Sequence, residues 1–112
     1  MSKIAIVVTK TPDPMRTIAV LRRAAPESSM ADLKQRLASR APVIESVLFE
    51  NDYPQVADRL RELVRELPKT GADVRLFELN PGEDFDPDAD LSKWEITPET
   101  LLNILDSAKS YE

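Results

Sequence analysis

The sequence LPKTGADVRL at residues 67–76 predicts the end of a helix and the beginning of a strand, and the architecture of the rest of the chain is inferred from this transition. Glycine commonly ends a helical region, and Gly71 is expected to do so here. Residues 73–79 are then expected to form a strand. The preceding residues carry apolar side chains at helical spacing, namely Val56, Leu60, Leu63, Val64 and Leu67. This stripe predicts an amphipathic helix that packs against the strand.

Toward the N-terminus, the unbroken apolar run IAIVV at residues 4–8 predicts a strand, about residues 3–9, that is buried on both faces. Asp13 and Pro14 favour the start of a helix, and Ser29 favours the start of a second one. A strand over residues 43–49 comes next. The apolar faces expected for the two helices contain Met15, Ile18, Leu21 and Ala25, and Met30, Leu33 and Leu37.

Charge divides the chain of 112 residues into two parts. Residues 1–79 carry a net charge of +2 and residues 80–112 a net charge of -7, giving -5 overall. We therefore expect an α+β body over 1–79, followed over 80–112 by an acidic arm and a C-terminal helix packed on the body. Thr97 and Pro98 favour the start of that helix. Its apolar side chains would be Leu101, Leu102, Leu105 and Ala108.

The order of elements in the body carries a resemblance to known proteins. Residues 18–22 (IAVLR), residues 30–34 (MADLK) and the closing GADV at residues 71–74 resemble the C-terminal domain of the large-subunit ribosomal stalk protein. The Clp protease adaptors share that fold, and Asp13-Pro14-Met15 is similar to the start of their first helix. The resemblance implies a βααβαβ core with a small three-stranded sheet covered by helices.

The composition excludes several kinds of chemistry. Histidine and cysteine are both absent, so the usual zinc, haem and iron–sulfur sites have no ligands. A Ser-His-Asp or Cys-His nucleophile cannot be built either. Gly71 and Gly82 are the only glycines, which excludes a glycine-rich phosphate loop. We expect a protein that is not an enzyme and uses no cofactor.

The acidic arm contains the most unusual side chains. Asp84, Asp86, Asp88 and Asp90 alternate along it, and Phe85 and Trp94 are its aromatic residues. The spacing allows three interpretations: a solvated linker, a recognition arm for a basic partner, or an EF-hand-like calcium loop that has Ala89 where glycine is required. Trp94 is either an anchor for the partner or the residue that pins the arm to the body.

Basic residues cluster on the helical hairpin. They are Arg16, Arg22, Arg23, Lys34, Arg36 and Arg40. The intervening acidic residues and the net charge argue against nucleic-acid binding. The cluster is interpreted instead as neutralising the acidic arm within the molecule, or as a solvated face. Since the apolar run at residues 4–8 is too short for a membrane span or a signal-peptide core, we expect no membrane partner and a cytoplasmic location.

These observations predict a protein-binding module without catalytic activity. Its most concrete form is an acidic immunity protein or antitoxin that neutralises a basic toxin through the arm, with Asp84, Phe85, Asp86, Asp88, Asp90 and Trp94 as contacts. The resemblance implies an alternative, a factor-recruiting or protease-adaptor module that uses Arg22 and Arg23. A calcium-responsive domain is the third hypothesis. Oligomeric state stays open, although the second strand is expected at a sheet edge.

Overall fold

The computed structural model describes residues 3–47, 53–80, 82–83, 85–86 and 94–107. The elements are β1 (Lys3–Lys10), α1 (Pro14–Ala24), α2 (Met30–Ser39), β2 (Ile44–Val47), α3 (Tyr53–Glu66), a 3₁₀ helix (Leu67–Thr70), β3 (Asp73–Leu79), β4 (Glu95–Ile96) and α4 (Pro98–Ser107).

The architecture is α+β, as expected, and the body follows the order strand, two helices, strand, helix, strand. The sheet is antiparallel with the order β2-β1-β3-β4. It therefore has one strand more than the three expected. The additional strand, β4, has only two residues, which pair with Leu76 and Phe77. β2 lies at the edge, and the last residues expected for it, 48 and 49, lie outside the described residues.

β1 is the central strand and is buried on both faces, as its sequence predicts. Ile4, Ile6 and Val8 belong to the main core together with the helices, whereas Ala5 and Val7 belong to a second cluster on the opposite face. Successive side chains of a strand point to opposite faces of the sheet. Each face of the sheet must consequently be covered by other parts of the chain.

The helices begin where their capping residues predict. The Asp13 carboxylate accepts a hydrogen bond from the Arg16 backbone N–H, and the Ser29 hydroxyl accepts one from the Asp32 N–H. The Thr97 hydroxyl accepts in the same way from the Thr100 N–H. These bonds satisfy backbone donors that have no partner within the helix.

α4 packs into the same core as the body. Leu101 and Leu105 are fully buried in the cluster that also contains Ile4 and Leu60. Among the described residues, no helix has the length and apolar character needed to cross a membrane.

Gly71 closes the 3₁₀ helix in a conformation that favours glycine. Its φ of 83° lies in the left-handed region, and its N–H donates to the Pro68 carbonyl. A Cβ atom at this position would lie 3.1 Å from Cγ of Pro12, in the loop that joins β1 to α1. Gly71 therefore provides both the turn and the close approach of two loops.

Three threonine hydroxyls connect those same two loops. The Thr70 hydroxyl donates to the Leu67 carbonyl at 2.7 Å and accepts from the Ala72 N–H. The Thr17 hydroxyl lies 3.0 Å from that of Thr70 and 3.0 Å from that of Thr11. The Thr17 hydroxyl also donates to the Asp13 carbonyl, at 3.1 Å. The hydroxyls form a buried polar cluster that links the start of α1 to the 3₁₀ helix.

Replacement of Gly71 should destabilise the protein. In Gly71→Ala, the left-handed conformation costs about 1–2 kcal/mol, and the contact with Pro12 adds to this cost. The free energy of unfolding, measured by urea denaturation, should fall by at least this amount. Gly82→Ala is the matched control, since no atom lies within 4 Å of its added Cβ; its effect should stay within about 0.5 kcal/mol. Equal effects of the two replacements would contradict the structure.

Removal of the Thr70 hydroxyl and removal of the Thr17 hydroxyl should lower the free energy of unfolding by different amounts. Thr70→Val leaves the buried Ala72 N–H without its acceptor, a cost of about 1–3 kcal/mol. Thr17→Val leaves no such orphan and should cost less, about 1 kcal/mol. Thr100→Val, at an exposed position, is the control. Urea denaturation of the three variants tests this order, which would be refuted if Thr17→Val were the most destabilised.

Candidate functional site

The candidate site is the second sheet face, which we define by the side chains of Ala5, Val7, Phe77 and Leu79. These residues are at most 5% exposed, although the core that contains the helices lies on the opposite side of the sheet. The aromatic ring packed against them is Phe85, from the acidic arm. The sequence identified the arm as a separate feature, and the structure places its beginning on the sheet.

A turn after β3 directs the arm onto this face. The Glu83 N–H donates to the Asn80 carbonyl at 2.9 Å. In return, the Glu83 carboxylate accepts from the Asn80 side-chain amide at 2.6 Å and from its backbone N–H at 3.3 Å. Residues 80 and 83 therefore bind each other through both backbone and side chains, which defines the direction in which the chain continues.

Lys3 holds the turn against the sheet. Its ammonium donates to the Glu83 carbonyl at 2.8 Å and lies 2.7 Å from the Glu45 carboxylate, on the edge strand β2. The Lys3 residue is only 9% exposed. A buried ammonium is costly unless it is paired, so these contacts hold β1, β2 and the arm together.

Phe85 is the first anchor of the arm. Its ring centroid lies 5.3 Å from that of Phe77, with 58° between the ring planes. Tilted aromatic pairs at this separation are favourable beyond the area that they bury. Phe85 is half-buried here, and the adjacent Asp86 is exposed. The described start of the arm thus presents a carboxylate beside an apolar anchor on its own sheet.

The structure gives different positions to the other expected contact residues. Asp84, Asp88 and Asp90 lie outside the described residues. Trp94 is 44% exposed and immediately precedes β4, so it is only partly packed. The C-terminal part of the chain is held by the pairing of β4 with β3, by the Arg75–Glu95 ion pair at 3.8 Å, and by the buried leucines of α4.

Arg22 and Arg23 lie apart from the described start of the arm. Both are exposed on α1, whose buried residues, such as Leu21, pack on the face of the sheet opposite Phe85. Arg23 lies 4.0 Å from Glu62 of α3. Arg22 and Arg23 therefore belong to a different surface from Phe85 and Asp86.

The calcium hypothesis depends mostly on acidic residues outside the described part of the chain. Asp86 and Glu95 are described, but the other aspartates of that loop are not. Within the described ranges, no group of three or more acidic side chains is placed to hold a metal ion.

Two methionines expected in the core are exposed, and the sequence analysis was wrong about both. Met15 is 60% exposed and Met30 is 37% exposed, whereas Ile18, Leu21 and Leu33 of the same helices are buried. Met15 is the second residue of α1 and Met30 is the first residue of α2. Both therefore precede the residues that pack on the sheet. Met15 lines an open groove between α1 and α2 that sequence reasoning missed.

Around α3, charges are paired locally. Glu66 lies 3.2 Å from Arg65 and 3.4 Å from Lys69. The hydrogen bond from Arg65, followed by the charge of Lys69, lowers the pKa of the Glu66 carboxyl. Arg61 likewise lies beside Asp58 and Asp106. These pairs are solvent-exposed contacts that stabilise the surface weakly.

Comparison of the chain with models of protein families, with curated proteins and with solved structures found no match. The resemblance to the ribosomal stalk domain and the Clp adaptors therefore stays a prediction from the sequence.

Removal of the arm's anchor should weaken both the fold and the attachment of the arm. Phe85→Ala loses a half-buried ring and its pairing with Phe77, so we expect a loss of about 1–2 kcal/mol in unfolding free energy. Phe85→Leu keeps most of the apolar contact and should lose less. Cleavage of the arm by a protease specific for acidic residues should also become faster in Phe85→Ala. Unchanged stability and cleavage would show that Phe85 does not anchor the arm.

Proposed function

We propose that the protein is a cytoplasmic protein-binding module without catalytic activity, which presents its acidic arm to a basic protein partner. The observation that carries the proposal is the packing of Phe85 on Phe77, with the exposed Asp86 beside it. An arm attached at its start loses less conformational freedom on binding than a free one does. Attachment to the sheet thus favours a recognition arm over a solvated linker.

The negative charge of the arm and C-terminal helix indicates that the partner is basic. Residues 80–112 carry a net charge of -7. Such a density attracts a basic surface over a distance and accelerates encounter, and it disfavours direct binding to nucleic acid. The most concrete partner is a basic toxin, such as a nuclease, whose substrate cleft is lined with cations. The protein would act as an immunity protein or antitoxin by filling that cleft with carboxylates.

A second candidate function uses the helical hairpin, in a factor-recruiting or protease-adaptor module. The observation that favours it is the exposure of Arg22, which forms no ion pair with any described residue. Arg23 has a single distant acidic neighbour, Glu62. Both guanidinium groups are available to an acidic partner.

Neutralising the arm should abolish binding to the partner. Tagged protein is used to recover partners from its native cells, and proteins bound in stoichiometric amount are identified by mass spectrometry. The variant in which Asp84, Asp86, Asp88 and Asp90 are all replaced by Asn keeps side-chain size and removes four charges. It should lose a basic partner, and the affinity of the unchanged protein should fall as salt is raised.

The double variant Arg22→Glu and Arg23→Glu is the control for this experiment, because it changes charge by a similar amount on the other surface. It should retain the partner under the proposal. If this variant alone loses the partner and the Asn variant keeps it, the arm is not the binding site and the hairpin function is correct.

A further inference from the structure

A groove between α1 and α2, here called the hairpin groove, is almost wholly apolar. Its volume is about 310 Å³, and Ile18, Leu37 and Ala38 line it together with the exposed Met15. Lys34 provides the charged group at its side. An apolar concave surface with one well-placed polar group is typical of a binding site for a large side chain. The flexible thioether of Met15 can adapt to such a guest.

The cations without ion pairs in the described part of the chain lie on the two helices that form this groove or in the segments next to them. Lys34 lines it, Lys10 precedes the loop whose Thr11 lines it, and the rest lie on the hairpin. The full set is Lys10, Arg16, Arg22, Lys34 and Arg40. The sequence predicts that the basic cluster neutralises the arm within the molecule, but none of these five cations forms an ion pair with Glu83, Asp86 or Glu95, the acidic residues that the structure describes in residues 83–95. The groove instead suits a large apolar side chain within an acidic segment.

The chain itself contains such a side chain. Trp94 is 44% exposed, and it is the single tryptophan of the sequence. It lies in the stretch of residues 83–95, which has six acidic residues and one lysine. Tryptophan is enriched where one side chain dominates an interface, and its ring also attracts cations.

We propose that Trp94 of one copy inserts into the hairpin groove of a second copy, so that the protein associates with itself. Ile18 and Leu37 would contact the indole ring, and the ammonium of Lys34 would lie against its face or beside Glu95. The net negative charge of residues 83–95 would favour this contact with the cations of the hairpin.

The fold favours contact between copies over contact within one chain. Trp94 precedes β4, which lies at one edge of the sheet beyond β3. α2 contacts β1 and α1, on the other side of β3 from β4. Each copy thus presents the guest and the groove at separate places. The inference is independent of the proposed binding to a toxin, because the pure protein suffices to test it.

Sedimentation velocity and the fluorescence of Trp94 test the inference on the full chain. Between about 5 µM and 1 mM protein, a range that covers dissociation constants in the micromolar region, the average mass should rise from 12.6 kDa to at least twice that value. The Trp94 emission should shift to shorter wavelength over the same range, since the indole leaves water. Both changes should weaken at about 0.5 M salt, where charges are screened.

Four variants locate the contact. Trp94→Ala and Lys34→Glu should each stay monomeric, and Met15→Gln should associate more weakly. Met30→Gln, an exposed methionine that does not line the groove, is the matched control and should associate normally. Circular dichroism confirms that each variant is folded.

Mixing of variants gives the decisive result. Trp94→Ala retains the groove and Lys34→Glu retains the tryptophan, so the mixture should associate and the emission should shift, although neither variant does so alone. A protein that stays monomeric with constant emission up to 1 mM overturns the inference. An oligomer that persists in both Trp94→Ala and Lys34→Glu also overturns it, because its interface then lies elsewhere.

Discussion

The apolar side chains on both faces of β1 are the constraint on which the rest of the structure depends. A strand with one apolar face needs one cover, but Ile4 and Ile6 on one face and Ala5 and Val7 on the other need two. The helices provide the first cover. The second begins with the turn at Asn80 and with Phe85, so a segment that by charge alone would be a solvated tail becomes part of the fold.

Local signals predicted most of the fold, because they act within a few residues. The caps at Asp13, Ser29 and Thr97, and the turn at Gly71, each form where the sequence indicates. β4 was missed because two residues carry no periodicity, and their strand structure comes from pairing with Leu76 and Phe77. The exposure of Met15 was missed for a related reason. Helical spacing identifies the apolar face of a helix, but it does not show which turns of the helix lie over the sheet and which extend beyond it.

The candidate surfaces could be predicted only in part. Composition identified the acidic arm and the basic hairpin, and the described charged residues Asp86, Arg22 and Arg23 are exposed. The sequence could not show that Phe85 faces its own sheet or that Lys3 binds the backbone of Glu83. These contacts join residues that are distant in the chain, and no local pattern encodes them. They make the molecule electrically two-sided, with an acidic strip that starts on the sheet and a basic, partly apolar hairpin on the helical side.

The register of the central strand has a consequence for biosynthesis. Lys3 of β1 pairs with Leu79 of β3, and the antiparallel pairing continues from there through the strand. A ribosome adds about 5–20 residues per second, so β1 emerges seconds before its partner exists. During that interval the helices made before β3 can cover one face of β1, while the face that contains Ala5 and Val7 still lacks Phe77, Leu79 and Phe85. The nascent chain is therefore at its most aggregation-prone before β3 emerges, and it becomes safe only when nearly the whole body has been made.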